Sequence, residues 1–404
     1  MTEQHIGMQK MQEKYPKLNV PRVPVCRLSG HDGPVQSIIF TPDGKWALTG
    51  GLDHTVKLWN PFRVDPQFVT TNSTKNRTCS AKKISFEEEE GISFQNLPPA
   101  LNIQTYSQGM THDINALCCV TTSSSSSSSS SSPETLLVAS NKTLVVTDLV
   151  TNQMKRRIQN YHTGRINAVA ATHSGEAYVT ASYDATVAIW DGRSRDTKPI
   201  QVLKDAKDSV TNVHVVQNVC EGGSHNNSSG RSSSNGNSNG NGNNISIIRT
   251  ASVDGFVRTY DLRKGLLQCD DFGSPITSTA RTKDGQCLVV SCLDGTIRLM
   301  ELETGELLNT YNSHHISGKY GLEVDILADD STIITGSEDG ACVLYDLVRA
   351  NSVGTLNGPA RRPTCTIKAH PKQSSVVIAA SYDNSTVVWS NDASPWQEQT
   401  NSQE

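Results

Sequence analysis

Seven times along this chain a turn residue, usually Asp, stands six positions before a residue that is usually aromatic or large. The pairs are Asp53 and Trp59, Asn141 and Thr147, Asp184 and Trp190, Asp254 and Tyr260, Asp294 and Met300, Asp339 and Tyr345, and Asp383 and Trp389. The clearest copy runs from Gly30 to Asn60, GHDGPVQSIIFTPDGKWALTGGLDHTVKLWN. Alternating apolar residues at Val35, Ile38 and Phe40 predict a strand, and Pro42-Asp43-Gly44 a tight turn. A second strand is expected over Trp46 to Thr49 and a third over Val56 to Trp59, joined by the turn Leu52-Asp53-His54. Three short strands cannot bury a core alone, so the unit must stack against copies of itself.

The runs SYDATVAIWD, SVDGFVRTYD, CLDGTIRLME, SEDGACVLYD and SYDNSTVVWS repeat the pattern in register. By these residues the chain resembles the WD-repeat family over nearly all of residues 21–391. The resemblance implies an all-β fold, a seven-bladed WD-repeat β-propeller with one four-stranded blade per repeat. It also implies closure by the N-terminal strand: residues 22–29, RVPVCRLS, would become the outer strand of the last blade and remove two sheet edges at once.

A repeat array absorbs 404 residues as one unit, and 35% hydrophobic content suits short strands with polar turns. No apolar run approaches the ~18 residues of a spanning helix, and the first twenty residues lack the apolar centre of a signal peptide. None of the ten cysteines forms a Cys-x-x-Cys pair, which favours reduced thiols in the cytosol or nucleus over disulfides or zinc. A formal charge of −4 offers no general basic field for nucleic acid. The expected partners are therefore proteins, with no direct nucleic-acid or membrane contact, no cofactor and no metal.

Two of the intervals between turn residues, Asp53 to Asn141 and Asp184 to Asp254, are too long for one repeat. The excess lies in three stretches, about 64–99, 121–134 and 220–244, which include Glu87 to Glu90, Ser123 to Ser132 and an Asn/Ser/Gly run. These lack apolar residues to offset the entropy of ordering, so disorder is expected there, as in the tails 1–20 and 392–404. Glu87 to Glu90 reads as a solvated loop. All three insertions fall in the first or third connection of a blade. Those connections share a rim, which leaves the rim of the GH loops and Asp turns open.

His31, Thr49, Asp53 and Trp59 could pass for a hydrolase triad with an attendant indole, but the set returns as His162, Thr180, Asp184 and Trp190 with the same His-to-Asp interval. Catalytic triads do not recur as blade periods. A structural relay fits better, with carboxylate, imidazole, hydroxyl and indole satisfying one another. The sixth blade is expected to keep His314, Thr335 and Asp339 with Tyr345 for the indole. The fourth keeps Thr250 and Asp254 without a His, and the fifth and seventh keep only Asp294 and Asp383. No complete relay is expected in the second, where His112 is displaced and Asn141 and Thr147 replace Asp and Trp; it should be the least rigid.

The runs SVDGFVRTYDLRKGLL, GSPITSTARTKDGQCLVVSCLDGTIRLMELETGELLNTY and ITGSEDGACVLYDLV are similar to those of the mitogen-activated protein kinase organizer subfamily of WD-repeat proteins, as are KLWNPFR and DAKDSVTNVHVV. That resemblance implies a non-enzymatic scaffold that groups kinase-cascade proteins in the cytoplasm and also associates with the spliceosome. The chain is expected in the cytoplasm and nucleus, as a monomer within larger complexes. Candidate partner contacts on the open rim are Tyr183, Glu338 and Tyr382 beside the Asp turns, with Arg165, Lys207, Arg361 and Arg362 near the opposite loops. Thr41-Pro42, Ser132-Pro133, Ser274-Pro275 and Ser394-Pro395 have the minimal form of proline-directed kinase sites; most read as turns, with Ser132 and Ser394 the accessible exceptions. An arginine cluster on the rim would instead suit a receptor that captures phosphorylated peptides for a ubiquitin ligase. An enzyme in the channel would need convergent acids, bases or metal ligands, and no His-x-x-x-His, Cys-x-x-Cys or phosphate loop supports one.

Overall fold

The computed structural model describes residues 19–66, 94, 97–120, 135–172, 175–216, 247–358 and 362–391. In chain order the strands are β1 (Val23–Arg27), then β2 (Val35–Phe40), β3 (Ala47–Gly51), β4 (Val56–Val64) and β5 (Ala100–Tyr106) of the first blade. The second blade is β6 (Ile114–Val120), β7 (Thr135–Ser140), β8 (Thr143–Asp148) and β9 (Met154–Ile158). The third is β10 (Ile166–Ala171), β11 (Ala177–Ser182), β12 (Val187–Asp191) and β13 (Gln201–Leu203). The fourth is β14 (Val210–Val216), β15 (Ile247–Ser252), β16 (Phe256–Asp261) and β17 (Leu266–Asp271). The fifth is β18 (Ile276–Arg281), β19 (Cys287–Cys292), β20 (Ile297–Glu301) and β21 (Leu307–Tyr311). The sixth is β22 (Val324–Ile326), β23 (Thr332–Gly336), β24 (Ala341–Asp346) and β25 (Ser352–Asn357). The seventh is β26 (Thr364–Ala369), β27 (Val377–Ser381) and β28 (Thr386–Ser390), with β1 as its fourth strand.

These form seven four-stranded sheets of adjacent antiparallel strands, the blades of a seven-bladed β-propeller. The middle strands carry the core: β3, β7, β23, β27 and β28 are buried along their whole length, because a strand packed on both faces has no side to give to water. The corner after each Asp needs a left-handed residue. Gly255, Gly295 and Gly340 supply it in three blades, and His54, Ala185 and Asn384 adopt it in three others.

The chain divides into two compact units. One holds the first, fifth, sixth and seventh blades. There β1 pairs with β28, from Val23 opposite Ser390 to Arg27 opposite Val387. The free edge of β1 is met in turn by the segment before β5, where the Arg27 N–H donates to the Pro98 carbonyl at 3.0 Å. His370, at the end of β26, fastens the seventh blade to the first: its Nε2 donates to the Gly44 carbonyl at 2.8 Å while its Nδ1 accepts from the N–H groups of Lys372 and Gln373. Gly44 has φ +80°, and a Cβ there would come within 2.5 Å of the imidazole. The other unit holds the second, third and fourth blades, around clusters that include Leu137, Trp190, Val213 and Tyr260. In that unit the Asn167 amide ties the third blade to the fourth, donating to Ser209 Oγ and to the Val210 carbonyl.

The expected insertion 121–134 separates β6 from β7, and the stretch before Ala100 separates β4 from β5. The third lies between β14 and β15. Nearly all of their residues, like Ser132, Ser394 and the tails, fall outside those described, whereas the strands on either side pair directly.

Candidate functional site

The histidine relays form in two blades. In the first, Trp59 Nε1 donates to Thr49 Oγ1 at 2.7 Å, and Thr49 Oγ1 lies 2.7 Å from His31 Nε2. His31 Nδ1 then meets Asp53 Oδ2 at 2.8 Å. With the indole as donor, the threonine hydroxyl is left to donate to Nε2, so the imidazole is neutral and carries its proton on Nδ1. Asp53 also accepts from the Asp32 and Thr55 N–H groups and from the Thr55 hydroxyl, which locks the loop before β2 to the turn before β4. The third blade repeats this with Trp190, Thr180, His162 and Asp184 at 3.0, 2.8 and 3.1 Å.

Burial pushes the His31 and His162 imidazoles below their usual range, against the pull of Asp53 and Asp184. Burial alone would raise the carboxyl of Asp184, but the Thr186 hydroxyl, His162 and the Thr163 N–H hold it down at about 2. Both ring nitrogens of each histidine are engaged inside the relay. The arrangement braces a turn and leaves no base to deprotonate a substrate.

The sixth blade departs from expectation by one residue. His315, not His314, is buried, and its Nδ1 lies 2.8 Å from the Tyr345 hydroxyl. His314 is exposed, with φ +75°. Thr335 Oγ1 donates to the Gly336 carbonyl, and Asp339 accepts from the Ala341 N–H, so neither joins the histidine. The cause is chemical and geometric. A phenol reaches the imidazole without a threonine between them, and the long loop from β21 to β22 no longer fixes the distance from histidine to strand.

In the fourth blade an arginine replaces the histidine. Arg258 Nη2 meets Asp254 Oδ2 at 2.7 Å, Nη1 meets Oδ1 at 3.1 Å, and Nη1 also donates to Ser252 Oγ at 2.8 Å. Both side chains are buried, at 5% and 8% exposure. Asp254 further accepts from the Ser252 hydroxyl and from the Lys207 N–H. Burial would raise its carboxyl, but Arg258 and Ser252 hold it near 2. The fifth blade has a more open version, Arg298 to Asp294 at 3.1 Å. Asp383 in the seventh binds Ser385, and Asn384 beside it donates to the His31 carbonyl. In the second blade only Asn141 and Lys142 separate β7 from β8, so Asn141 takes the left-handed corner itself. His112 there is exposed, and Thr147 Oγ1 is buried with no partner among the described residues.

The rim candidates differ in freedom. In the unit of the second to fourth blades, Tyr183 is 61% exposed and its N–H donates to the Arg165 carbonyl at 2.8 Å. Arg165 is exposed with its Nε on Asn167 Oδ1, and Lys207 is exposed beside Asp254. Arg165 and Lys207 therefore sit next to Asp turns instead of away from them. In the other unit, Glu338 is spent on its own loop, accepting from the Lys319 and Tyr320 N–H groups at 2.6 and 3.1 Å. Tyr382 is half-buried, its ring 5.8 Å from that of Tyr320. Arg362 is exposed, and Arg361 lies outside the described residues.

Comparison with known proteins places this geometry. The family model described as "WD domain, G-beta repeat" matches residues 22–60 and 155–191, the first and third repeats with their complete relays. The WD repeat domain-containing protein 83 homolog of Dictyostelium discoideum is 30% identical over 363 residues, covering 90% of this chain and 96% of that protein. The chain belongs to the WD-repeat family. WD repeat domain-containing protein 83 of Rattus norvegicus is 36% identical over 159 residues, 39% of this chain and 41% of that protein. The Homo sapiens protein of that name is 34% identical over 155 residues, 38% and 40% of the two chains.

Two parts of this WD-repeat chain escape a reading that looks for histidine before the first strand of a blade. The arginine brace had a signal, Asp-Gly-x-x-Arg, present as DGFVR and DGTIR. His370 had a subtler one. It occupies the turn after the first strand of its blade, where Thr41, Thr172 and Thr282 stand in three others, all buried and each accepting an N–H from the start of the next strand. Thr41 is 1% exposed with its hydroxyl on Asp43, which makes Thr41-Pro42 a turn brace.

Proposed function

We propose that this chain is a non-enzymatic scaffold that groups components of a kinase cascade, of the spliceosome, or of both, in the cytoplasm and nucleus. The observation that carries the scaffold reading is the division of labour in the repeats. The buried polar groups of the His31 and His162 relays are satisfied within each relay, while Tyr183 and Arg165 stand exposed beside the turn that the His162 relay holds still, and Lys207 beside the turn held by the Asp254 brace. A rigid repeat array offers separate contacts at fixed angles, so several proteins can dock without a hinge or cofactor. No helix of the described residues is long and apolar enough to cross a membrane. The kinase-cascade and splicing assignments draw on the subfamily-like runs of the second half and on the similarity to WD repeat domain-containing protein 83 proteins.

The test is affinity purification of the tagged full chain from cytoplasmic and nuclear fractions, with mass spectrometry. Kinase-cascade proteins are expected from the first fraction and splicing proteins from the second. Recovery of ubiquitin ligase subunits with phosphorylated clients, and of neither expected class, would overturn the assignment in favour of a substrate receptor. Loss of the recovered proteins on Tyr183→Ala with Arg165→Ala would place their contact on the third blade.

A further inference from the structure

The fourth strand of a sheet is a hazard, because its outer N–H and C=O groups invite pairing with another chain, and bulges are a common protection. Six of the seven fourth strands here are protected or short. The registers of β5, β9, β21, β25 and β1 are all interrupted by a bulge or irregularity, and β13 has only three residues. β17 is different. It pairs with β16 over six consecutive positions without interruption, from Phe256 opposite Asp271 to Asp261 opposite Leu266. It is also exposed, with Leu266 at 59% and Leu267 at 39%.

The ladder fixes which groups face out. The Phe272 N–H donates to the Gly255 carbonyl, and partners alternate along an antiparallel pair, so Leu267, Cys269 and Asp271 turn their N–H and C=O away from β16. Among the described residues no backbone group bonds to that edge. The charges along RKGLLQCDD have opposite signs at its two ends: Arg263 and Lys264 in the turn before the strand, Asp270 and Asp271 at its finish. All four keep contact with solvent.

We propose that β17 is a self-association edge, pairing antiparallel with β17 of a second copy of this chain about a twofold axis through Leu267. Leu267 faces outward, so the two Leu267 residues exchange both backbone hydrogen bonds at the axis, and their side chains meet on one face. Leu266 lies opposite Gln268 of the second copy. Each basic turn comes to rest beside the acidic end of the other strand. The interface is isologous, the same patch used twice, and a sequence of reversed charge at its two ends satisfies it with itself. The occupant is thus a second copy, in place of the monomer the sequence suggests, and the sheet grows to eight strands across the pair.

Sedimentation equilibrium of the full chain over a concentration series tests this, using Arg263→Glu with Lys264→Glu as one variant and Asp270→Lys with Asp271→Lys as the other. The wild type is expected to dimerise. Each variant opposes like charges at both ends and is expected to associate about tenfold or more weakly. An equimolar mixture of the two variants is expected to recover association, since each acidic turn then meets a lysine pair and each basic turn an aspartate pair. Leu267→Asp, which sets two carboxylates on the axis, provides a second break that leaves the turns intact, and thermal melts confirm that each variant folds. A wild type that stays monomeric at every concentration, variants that associate as well as the wild type, or a mixture that fails to recover would each overturn the proposal.

Discussion

The third and fourth blades hold the same turn in two chemical ways. In the third, Asp184 is steadied by a neutral imidazole that is the middle of a relay ending in Trp190. In the fourth, Asp254 is steadied by a full positive charge on Arg258, buried with it. The relay spreads the polar burden over four side chains, so removing the carboxylate leaves only a neutral imidazole short of a partner. The ion pair concentrates it on two, and removing one strands a charge. The same backbone corner is therefore served by a tolerant brace in one blade and a brittle one in the next.

The largest separation is expected from truncating the two carboxylates. Asp254→Ala leaves the Arg258 guanidinium buried without its counter-charge and should cost about 3 to 5 kcal/mol. Asp184→Ala leaves His162 uncharged and should cost about 1 to 3 kcal/mol. Urea unfolding of both variants beside the wild type measures the difference, and equal losses would break the comparison.

A second pair sharpens what counts as a relay. His315→Phe removes the imidazole from the buried Tyr345 hydroxyl and should cost about 1 to 3 kcal/mol, whereas His314→Ala should stay within about 0.5 kcal/mol of the wild type. Reversed values in thermal melts would return the sixth blade to the residue that the spacing of the repeats suggests.

The smallest effect is one of pH, and its sign follows from which state binds more protons. Burial lowers the His162 imidazole from its ordinary 6.5, so between the two values the unfolded chain is the more protonated. The stability contributed by the neutral ring is whole above about 6.5 and is lost as pH falls through the lowered folded value. Asp254 is held near 2 against an ordinary 3.8, so its share is whole above about 3.8 and is lost only as pH falls towards 2. Amide exchange followed from pH 7 to pH 5, corrected for intrinsic rates, should show protection falling in β11 and β12 while β15 and β16 hold. Parallel loss in both blades would show that the imidazole is not the weak point.

The architecture was legible because its evidence is redundant. Seven turns in register survive the loss of any one, and Trp59 and Trp190 sit where the spacing puts them because both are tied through threonine to a histidine four residues before a strand. Where that ruler lengthens, as in the loop from β21 to β22, two adjacent histidines could not be told apart, and the chosen one, His314, points to solvent. The Arg258 brace lies beyond that ruler because the arginine stands four residues after the Asp, on the far side of the same hairpin and not in the loop before the blade. His370 leaves no trace in the repeat pattern because its partner, the Gly44 carbonyl, is 326 residues away in sequence and carries no side-chain signature.

The pairing of β1 with β28 sets a schedule for biosynthesis. The two strands are separated by most of the propeller, and at about 5 to 20 residues per second the first waits about 20 to 70 s for the second to be made. Through that interval the last sheet lacks three of its four members, and Val25, Cys26 and Leu28 have only the first-blade half of their cluster, without Val376, Ile378, Ala380 and Val388. The finished molecule thus inherits a nascent phase in which one side of an early apolar strand waits for residues made several hundred positions later.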